Sequence, residues 1–398
     1  MNKPTIVVPT YWGSSGENSW ADEKIVFDHP TPLDSNGTLT AFLDSLSVLD
    51  DKDFYVSIIA VANSPDIENQ VLDKVNSIVE PYAELYDISV LHAEKLKSLK
   101  NELSKKNISS QSLDLLNLSN YAAVRNICSV AGILNKSDIT IFIDDDEVFT
   151  DPDFLKKAGE FAGREIDSRK IHAVAGYYLQ PDTYKIENKT PPDWTLPFWD
   201  KLTSMNKAFD LIIGSGPRLK ITPFVFGGNM VVDLQTLLNV PFDPMITRGE
   251  DIDFLINLRI AGIDFYLDNK LAIRHLPPPY YRPEWKGLLE DVKRFLYEKK
   301  KLEDHRDLPG LKPDDFNPYP GEFLHDDLYE RIIKTAGKLR EKYRLADDSD
   351  GINECDKIIE VVNNNPFADF NTREWIQNLS SQWKELTGAL TEISKPGK

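Results

Sequence analysis

A short apolar run, Ile139-Thr140-Ile141-Phe142-Ile143, leads directly into Asp144-Asp145-Asp146-Glu147. Adjacent carboxylates repel one another, and a cation is their natural compensation. Hard divalent ions such as Mn²⁺ or Mg²⁺ take one or two carboxylates and fill the rest of their shell with phosphate oxygens. The competing reading is a solvated acidic turn that caps a helix near Asp151-Pro152. A second acidic group stands at Arg248-Gly249-Glu250-Asp251-Ile252-Asp253. Acidic residues at a helix start also serve capping and the helix dipole, so taken alone this group reads as a cap. The third candidate is His275, in Ile273-Arg274-His275-Leu276-Pro277. A lone histidine is more often a satisfied structural residue than a ligand.

The elements that must position these residues follow from hydropathy period. Ile6-Val7-Val8, Tyr55–Val61, Ile88–Leu91 and Ile139–Ile143 read as strands. Between them Leu39, Phe42, Leu43, Leu46 and Leu49, then Val71, Val75, Ile78 and Val79, recur at helical spacing. Residues 94–118 read as an inserted loop or partial helix, and Asn120–Leu134 as a helix. Strands alternating with helices predict a mostly parallel α/β sheet, in which ligands bind outside the carboxyl ends of the strands. The aspartates stand at such an end. Residues 179–223, with Pro181, Pro191, Pro192, Pro197 and Pro217 around Trp194, Phe198 and Trp199, read as a long structured loop. Strand character resumes over Phe224–Val232, a helix is expected over Asp251–Ala261, and strands near Phe265-Tyr266-Leu267 and Ala272-Ile273. Beyond Pro277-Pro278-Pro279 the pattern is helical, with later helices over roughly 322–345, 352–363 and 372–392. This divides the chain into a sheet domain, 1–280, and a helical C-terminal region, 281–398.

Composition sets the bounds. The 398 residues are 41% hydrophobic and 28% charged, ordinary for a globular protein. A net charge of −18 argues against a nucleic-acid partner and against a polybasic membrane anchor. It leaves room for a phosphorylated substrate, because a metal ion or a few arginines can hold phosphate locally. Two cysteines, Cys128 and Cys355, make no disulfide framework. No signal-peptide pattern opens the chain, and no stretch approaches the roughly 20 apolar residues of a transmembrane helix. The expectation is a soluble, cytoplasmic protein.

Taken together, the groups are more specific than any one of them. Their order and spacing over about residues 4–276 resemble the GT-A fold glycosyltransferases, particularly the large family 2-like group of nucleotide-sugar transferases. The matching segments are Val8-Pro9-Thr10-Tyr11, Ala123-Val124-Arg125-Asn126, Phe142 to Asp146, Gly227-Gly228-Asn229, Gly249-Glu250-Asp251 and Gly262. The resemblance implies a Rossmann-like, mostly parallel sheet flanked by helices, here with a helical C-terminal extension. It implies a UDP- or GDP-sugar donor, a hydroxyl acceptor that is a sugar or a small molecule, and Mn²⁺ or Mg²⁺. By the same resemblance Pro9, Thr10 and Tyr11 line the nucleotide pocket, Arg125 lies beside the nucleotide, and Asp144 faces the ribose, with Asp145 in the donor-binding set. Asp146 coordinates the metal and His275 supplies a further ligand. Gly227 and Gly228 let backbone approach the donor sugar. Glu250 and Asp251 sit near the acceptor, and in an inverting reaction Asp251 is the expected base, Glu250 the second choice.

The sequence departs from the family at Ala62-Asn63-Ser64-Pro65-Asp66, where relatives carry an Asp-x-Ser/Gly turn; Asp66 is the substitute for base recognition. The loop Trp12–Pro32 is also long. Trp194, Phe198 and Trp199 read either as a sugar-stacking platform or as a loop pinned by its own aromatics. The C-terminal helices are amphipathic enough to close over an acceptor, contact a partner or form a homo-oligomer. Two other functions compete. Asp144-Asp145-Asp146-Glu147-Val148 is similar to the Asp-x-Asp-x-Val opening of haloacid dehalogenase-like phosphatases, which would use Asp144 and Asp146. A non-catalytic scaffold that binds sugar or metal is the other.

Overall fold

The computed structural model describes residues 2–14, 27, 30–187, 189–277 and 282–393. Most of the long loop Trp12–Pro32 therefore lies outside the described residues. The strands are β1 (Thr5–Gly13), β2 (Thr31–Pro32), β3 (Tyr55–Ala62), β4 (Asp87–Leu91), β5 (Ile139–Phe142), β6 (Glu147–Val148), a separate hairpin of β7 (Glu165–Ile166) and β8 (Arg169–Lys170), then β9 (Ala173–Leu179), β10 (Leu219–Ile221), β11 (Met230–Asp233) and β12 (Phe265–His275). The main sheet runs β10-β12-β9-β11-β5-β1-β3-β4, with β2 beside β1 and β6 beside β12. β4, β3, β1 and β5 are parallel. β11 runs against both of its neighbours, so β9, and β12 parallel to it, resume the common direction. The carboxyl ends of β1, β3, β5, β9 and β12 thus open on one edge.

Helices α1 (Leu39–Ser45), α2 (Glu68–Val79), α3 (Ala93–Leu103), α4 (Ser110–Asp114), α5 (Tyr121–Leu134), α6 (Phe154–Phe161), α7 (Lys201–Ile212), α8 (Leu234–Asn239) and α9 (Glu250–Ile260) connect the strands; α10 (Glu284–Asp304), α11 (Leu328–Leu345), α12 (Ser349–Asn363) and α13 (Thr372–Ile393) follow β12. Successive strand residues face opposite sides of a sheet. In β1, Ile6 and Val8 accordingly join the core under α1, α2 and α6, while Val7 joins the core under α5 and α9. Burial on both faces is why these strands are continuous apolar runs rather than alternating ones. α5 is capped by Asn120, whose side chain accepts from the Ala123 amide at 2.8 Å. It is buried all round because the sheet covers one side and α13 the other.

The second core continues without a break into the C-terminal helices. Val7, Ile127 and Phe254 belong to the same apolar cluster as Phe295, Leu339 and Trp383. The Trp383 indole donates to the Leu237 carbonyl at 2.7 Å. Beneath this interface lies a buried ionic group. Lys301 of α10 reaches Asp243 at 2.6 Å and Asp253 of α9 at 2.7 Å, all three side chains being fully buried. Tyr297 and the Trp375 indole donate to Asp243, at 2.6 and 2.9 Å.

The architecture expected from the pattern, a mostly parallel α/β sheet flanked by helices, is the one found. Local differences have local causes. The stretch expected as loop over 179–223 contains α7, on which Met205, Ala208, Phe209 and Ile212 share an inward face after an Asp200 cap. The prolines and aromatics before it obscure that period. The two strands expected at 265–267 and 272–273 are one strand, β12, with an irregularity between Leu267 and Ala272. Of Phe224–Val232 only Met230 onward is strand, because the chain turns through Gly227-Gly228 first. Residues 94–118 hold two helices, α3 and α4. Among the described residues no helix is long and apolar enough to cross a membrane.

Candidate functional site

The acidic run acquires its geometry from a strand pairing remote in sequence. After β5 the chain turns, with the Glu147 amide donating to the Asp144 carbonyl at 3.2 Å. β6 then pairs antiparallel with the end of β12, setting Glu147 opposite His275 and Val148 opposite Arg274. The Leu276 amide closes the ladder on the Asp146 carbonyl at 2.7 Å. That ladder brings His275 Nε2 to 3.2 Å from Asp146 Oδ2. Tyr178, at the carboxyl end of β9, stacks on the imidazole at 4.8 Å and fixes its plane.

Glu147 braces the turn from behind. It is fully buried, and its Oε2 accepts from the Asp144 amide at 2.9 Å. Burial, and then the nearby Asp144 and Asp146, raise its pKa well above the usual carboxylate range. The Tyr178 hydroxyl lies against it and accepts from the Gly228 amide at 2.8 Å. A Cβ on residue 228 would fall 2.1 Å from Glu147 Oε1, so this position requires glycine.

The three aspartates diverge. Asp144 turns to Arg125 of α5, 2.8 Å away, and the same guanidinium reaches Glu250 at 3.2 Å. Burial alone would lower the Arg125 pKa; Asp144 and Glu250 reverse this and raise it. Asp145 accepts from the Thr10 hydroxyl at 2.6 Å. Burial, and then Asp146, push it up to about 7. Asp146 faces His275. Two neighbouring ligands of an octahedral ion at about 2.1 Å lie about 3 Å apart, so this pair fits adjacent positions on Mn²⁺ or Mg²⁺. Among the described residues no three His, Cys, Asp or Glu side chains converge into a cage.

The opposite wall is the start of α9. Gly249 holds the left-handed conformation at φ 75°, and a Cβ there would lie 2.4 Å from Arg294 of α10. Glu250 spends its carboxylate on Arg125. Asp251 remains for other work. Burial, and then Glu250, raise its pKa, against the pull of Arg294 and Arg125.

Between the walls lies a cavity of about 450 Å³ lined by Pro9, Tyr11, Arg125, Asp144, Asp145, Asp146, Gly227, Glu250, Asp251 and His275. Most of the residues singled out in the sequence thus meet at one place. Thr10 and Gly228 stand behind the lining, as supports of Asp145 and Glu147. Asp66 lies elsewhere, on the exposed turn after β3, where the Ser64 hydroxyl bonds it. Sequence reasoning overlooked Glu147 as a brace, and with it Tyr178, Arg294 and Tyr319. Only the adjacency of Glu147 to the aspartates signalled any of them.

The aromatic loop divides. Trp199 is buried against Phe295 and Phe323, at 5.7 and 5.2 Å, so it is a core residue and not a sugar platform. The Trp194 indole donates to Glu284 at 2.8 Å, and Phe198 lies under Lys334 and Lys338. Trp199→Ala is expected to destabilise by about 3–5 kcal/mol in urea unfolding. Unchanged stability together with a selective rise in acceptor KM would contradict this placement.

No family model matches the chain, and no curated protein matches it. Among solved structures it is similar to a mannosyltransferase from Pyrobaculum calidifontis in complex with GDP-mannose and Mn²⁺, at 12% identity and TM-score 0.46, over 99% of this chain and 88% of that one. It is similar to a mycobacterial protein at 14% identity and TM-score 0.35, over 75% and 74% of the two chains. It is also similar to GalNAc-T7 with UDP, GalNAc and Mn²⁺, at 11% identity and TM-score 0.38, over 84% of this chain and 55% of that one.

Proposed function

We propose that this chain is a metal-dependent glycosyltransferase that moves a sugar from a UDP- or GDP-sugar to a hydroxyl acceptor, with inversion. The observation that carries the reading is the convergence on one cavity, at the carboxyl edge of the sheet, of the Asp146–His275 pair on one wall and Glu250–Asp251 on the other. Asp146 and His275 would hold the ion. When bound there, Mn²⁺ or Mg²⁺ supplies positive charge against the diphosphate leaving group. Asp144, fixed by Arg125, faces the ribose, and Tyr11 and Pro9 wall the nucleotide. The base extends past the Tyr11–Phe27 ring contact into a neighbouring cavity of about 530 Å³, which Asn63, Asn69 and His92 line.

In the transfer step the acceptor oxygen bonds to the anomeric carbon, and the bond from that carbon to the diphosphate oxygen breaks. The leaving group keeps the electron pair. The hydroxyl proton passes to the Asp251 carboxylate, whose raised pKa suits a base. Glu250 is less suited, because Arg125 already occupies it. We assign the donor chemistry to residues 1–280, with the helical region 281–398 completing the acceptor wall through Arg294 and Tyr319. The phosphatase alternative is not favoured: its nucleophile would be Asp144, which is tied to Arg125.

The test is a melting-temperature panel of UDP-, GDP-, ADP- and dTDP-sugars, with and without Mn²⁺, on wild type and Asp146→Ala. Ligands that bind the native state raise its melting temperature by mass action. One nucleotide class should shift wild type only with Mn²⁺ and leave Asp146→Ala unmoved. A folded protein that no nucleotide shifts would end the transferase reading and favour the phosphatase. A donor-dependent shift without turnover on a broad acceptor panel would favour the scaffold.

A further inference from the structure

Arg294 is 7% exposed, yet it lines the cavity. Its Nε donates to Glu298 Oε1 at 2.8 Å and its Nη1 to the Tyr319 hydroxyl at 3.4 Å, while Nη2 is buried without a partner. A guanidinium has about five donors and no acceptor, so an unmet one in a ligand cavity asks for an anion. The backbone makes room for it, since at Gly249 any side chain would collide with this guanidinium. The same wall carries Arg248 and Lys201, held at 3.0 Å by Glu290 and at 2.6 Å by Asp291. Each of these cations is paired with a carboxylate, and the lining as a whole holds more Asp and Glu than Arg and Lys, so the unmet Nη2 of Arg294 is what distinguishes this wall. A neutral sugar is usually met by stacking and by mixed donors and acceptors. Here Trp199 is in the core, and the Arg294 side offers donors.

We infer that the acceptor is an organic anion, carboxylate or phosphate, whose negative group binds Arg294 so that a hydroxyl a few atoms away meets Asp251. The inference deepens the transferase reading and rests on it. Arg294 packs against Gly249, two residues before Asp251, and both side chains line the same cavity, so one small molecule can touch both. Arg294 is a specificity residue here; Asp251 remains the proton acceptor.

The experiment uses acceptor pairs that differ only in charge: glucuronate against glucose, and glycerol phosphate against glycerol. Each is titrated calorimetrically into the full chain loaded with Mn²⁺ and the nucleoside diphosphate that gives the melting shift. At least one anion should bind about tenfold tighter than its neutral partner, the size of one charge-assisted hydrogen bond. If glucuronate succeeds and glycerol phosphate fails, the group is a carboxylate; the reverse identifies phosphate. Arg294→Lys, which keeps the charge but loses the fork, should reduce the preference. The double variant R294Q/E298Q, which removes the guanidinium together with the carboxylate bonded to it, should abolish it. Both should keep the nucleotide-dependent melting shift. Equal or better binding of the neutral partners, absence of binding by either anion at millimolar concentration, or a preference that survives R294Q/E298Q overturns the inference. Loss of the nucleotide shift in wild type would instead remove the reading beneath it.

Discussion

Asp251→Asn is expected to lower the transfer rate by about 10²- to 10⁴-fold, the usual contribution of a positioned general base. The amide keeps the shape of the carboxylate and the bond that its oxygen accepts from the Ile252 amide at 2.8 Å. It cannot take a proton. The Mn²⁺-dependent donor shift in melting temperature should therefore persist, which separates chemistry from binding. The pH profile supplies a second readout. A base works ionised, so kcat/KM rises with pH through the Asp251 pKa. Burial, and then Glu250, hold that pKa above the usual carboxylate range. The acid limb of wild type should lie correspondingly high, and the residual activity of Asp251→Asn should lack it. The product anomer, read by NMR, should be opposite to that of the donor. Activity within tenfold of wild type, or a retained anomer, would dismiss Asp251 as the base.

The second large effect lies away from the chemistry. Lys301→Met removes the only cation bonded to both Asp243 and Asp253 among the described residues and leaves two carboxylates in the interior. Breaking a buried pair from one side costs about 3–5 kcal/mol, because the stranded charge cannot return to water. Urea unfolding should show that loss. Adding Asp243→Asn and Asp253→Asn should return much of it, since a neutral set has no charge to strand. A loss under about 1 kcal/mol would mean that water or rearrangement compensates the carboxylates. The group joins α9 to α10, so its loss should also loosen the wall that carries Asp251.

What could be read from the chain and what could not differ by sequence distance. Asp144 to Asp146 were legible because strand, strand end and carboxylates are consecutive. Gly249-Glu250-Asp251 was legible as a helix start, and the apolar period of α10 through Leu288, Val292, Phe295 and Leu296 matches its buried face. His275 beside Asp146 required the β6–β12 ladder, which joins residues far apart in the chain. Glu147 belongs to the same ladder and Tyr178 to the β9–β12 pairing beside it, so nothing local marked them as a brace. Arg294 lay beyond reach for a different reason. On α10 it reads as one more charged residue of an amphipathic helix, and only the crossing of α10 over Gly249 gives it a place in the cavity. The sugar platform failed at Trp199 because burial of a tryptophan by a later segment leaves no trace around the tryptophan itself.

The dependence of α5 on α13 has a consequence for how this protein is made. Chains fold as they leave the ribosome, and apolar surface waiting for its cover is open to wrong partners. α5 carries Arg125 and emerges early, whereas the helix that covers its outer side is translated long afterwards. Until α13 arrives, the nascent chain presents a greasy helix on a half-built domain. A ribosome stalled between the two should hold a species that binds chaperones and cannot yet process substrate.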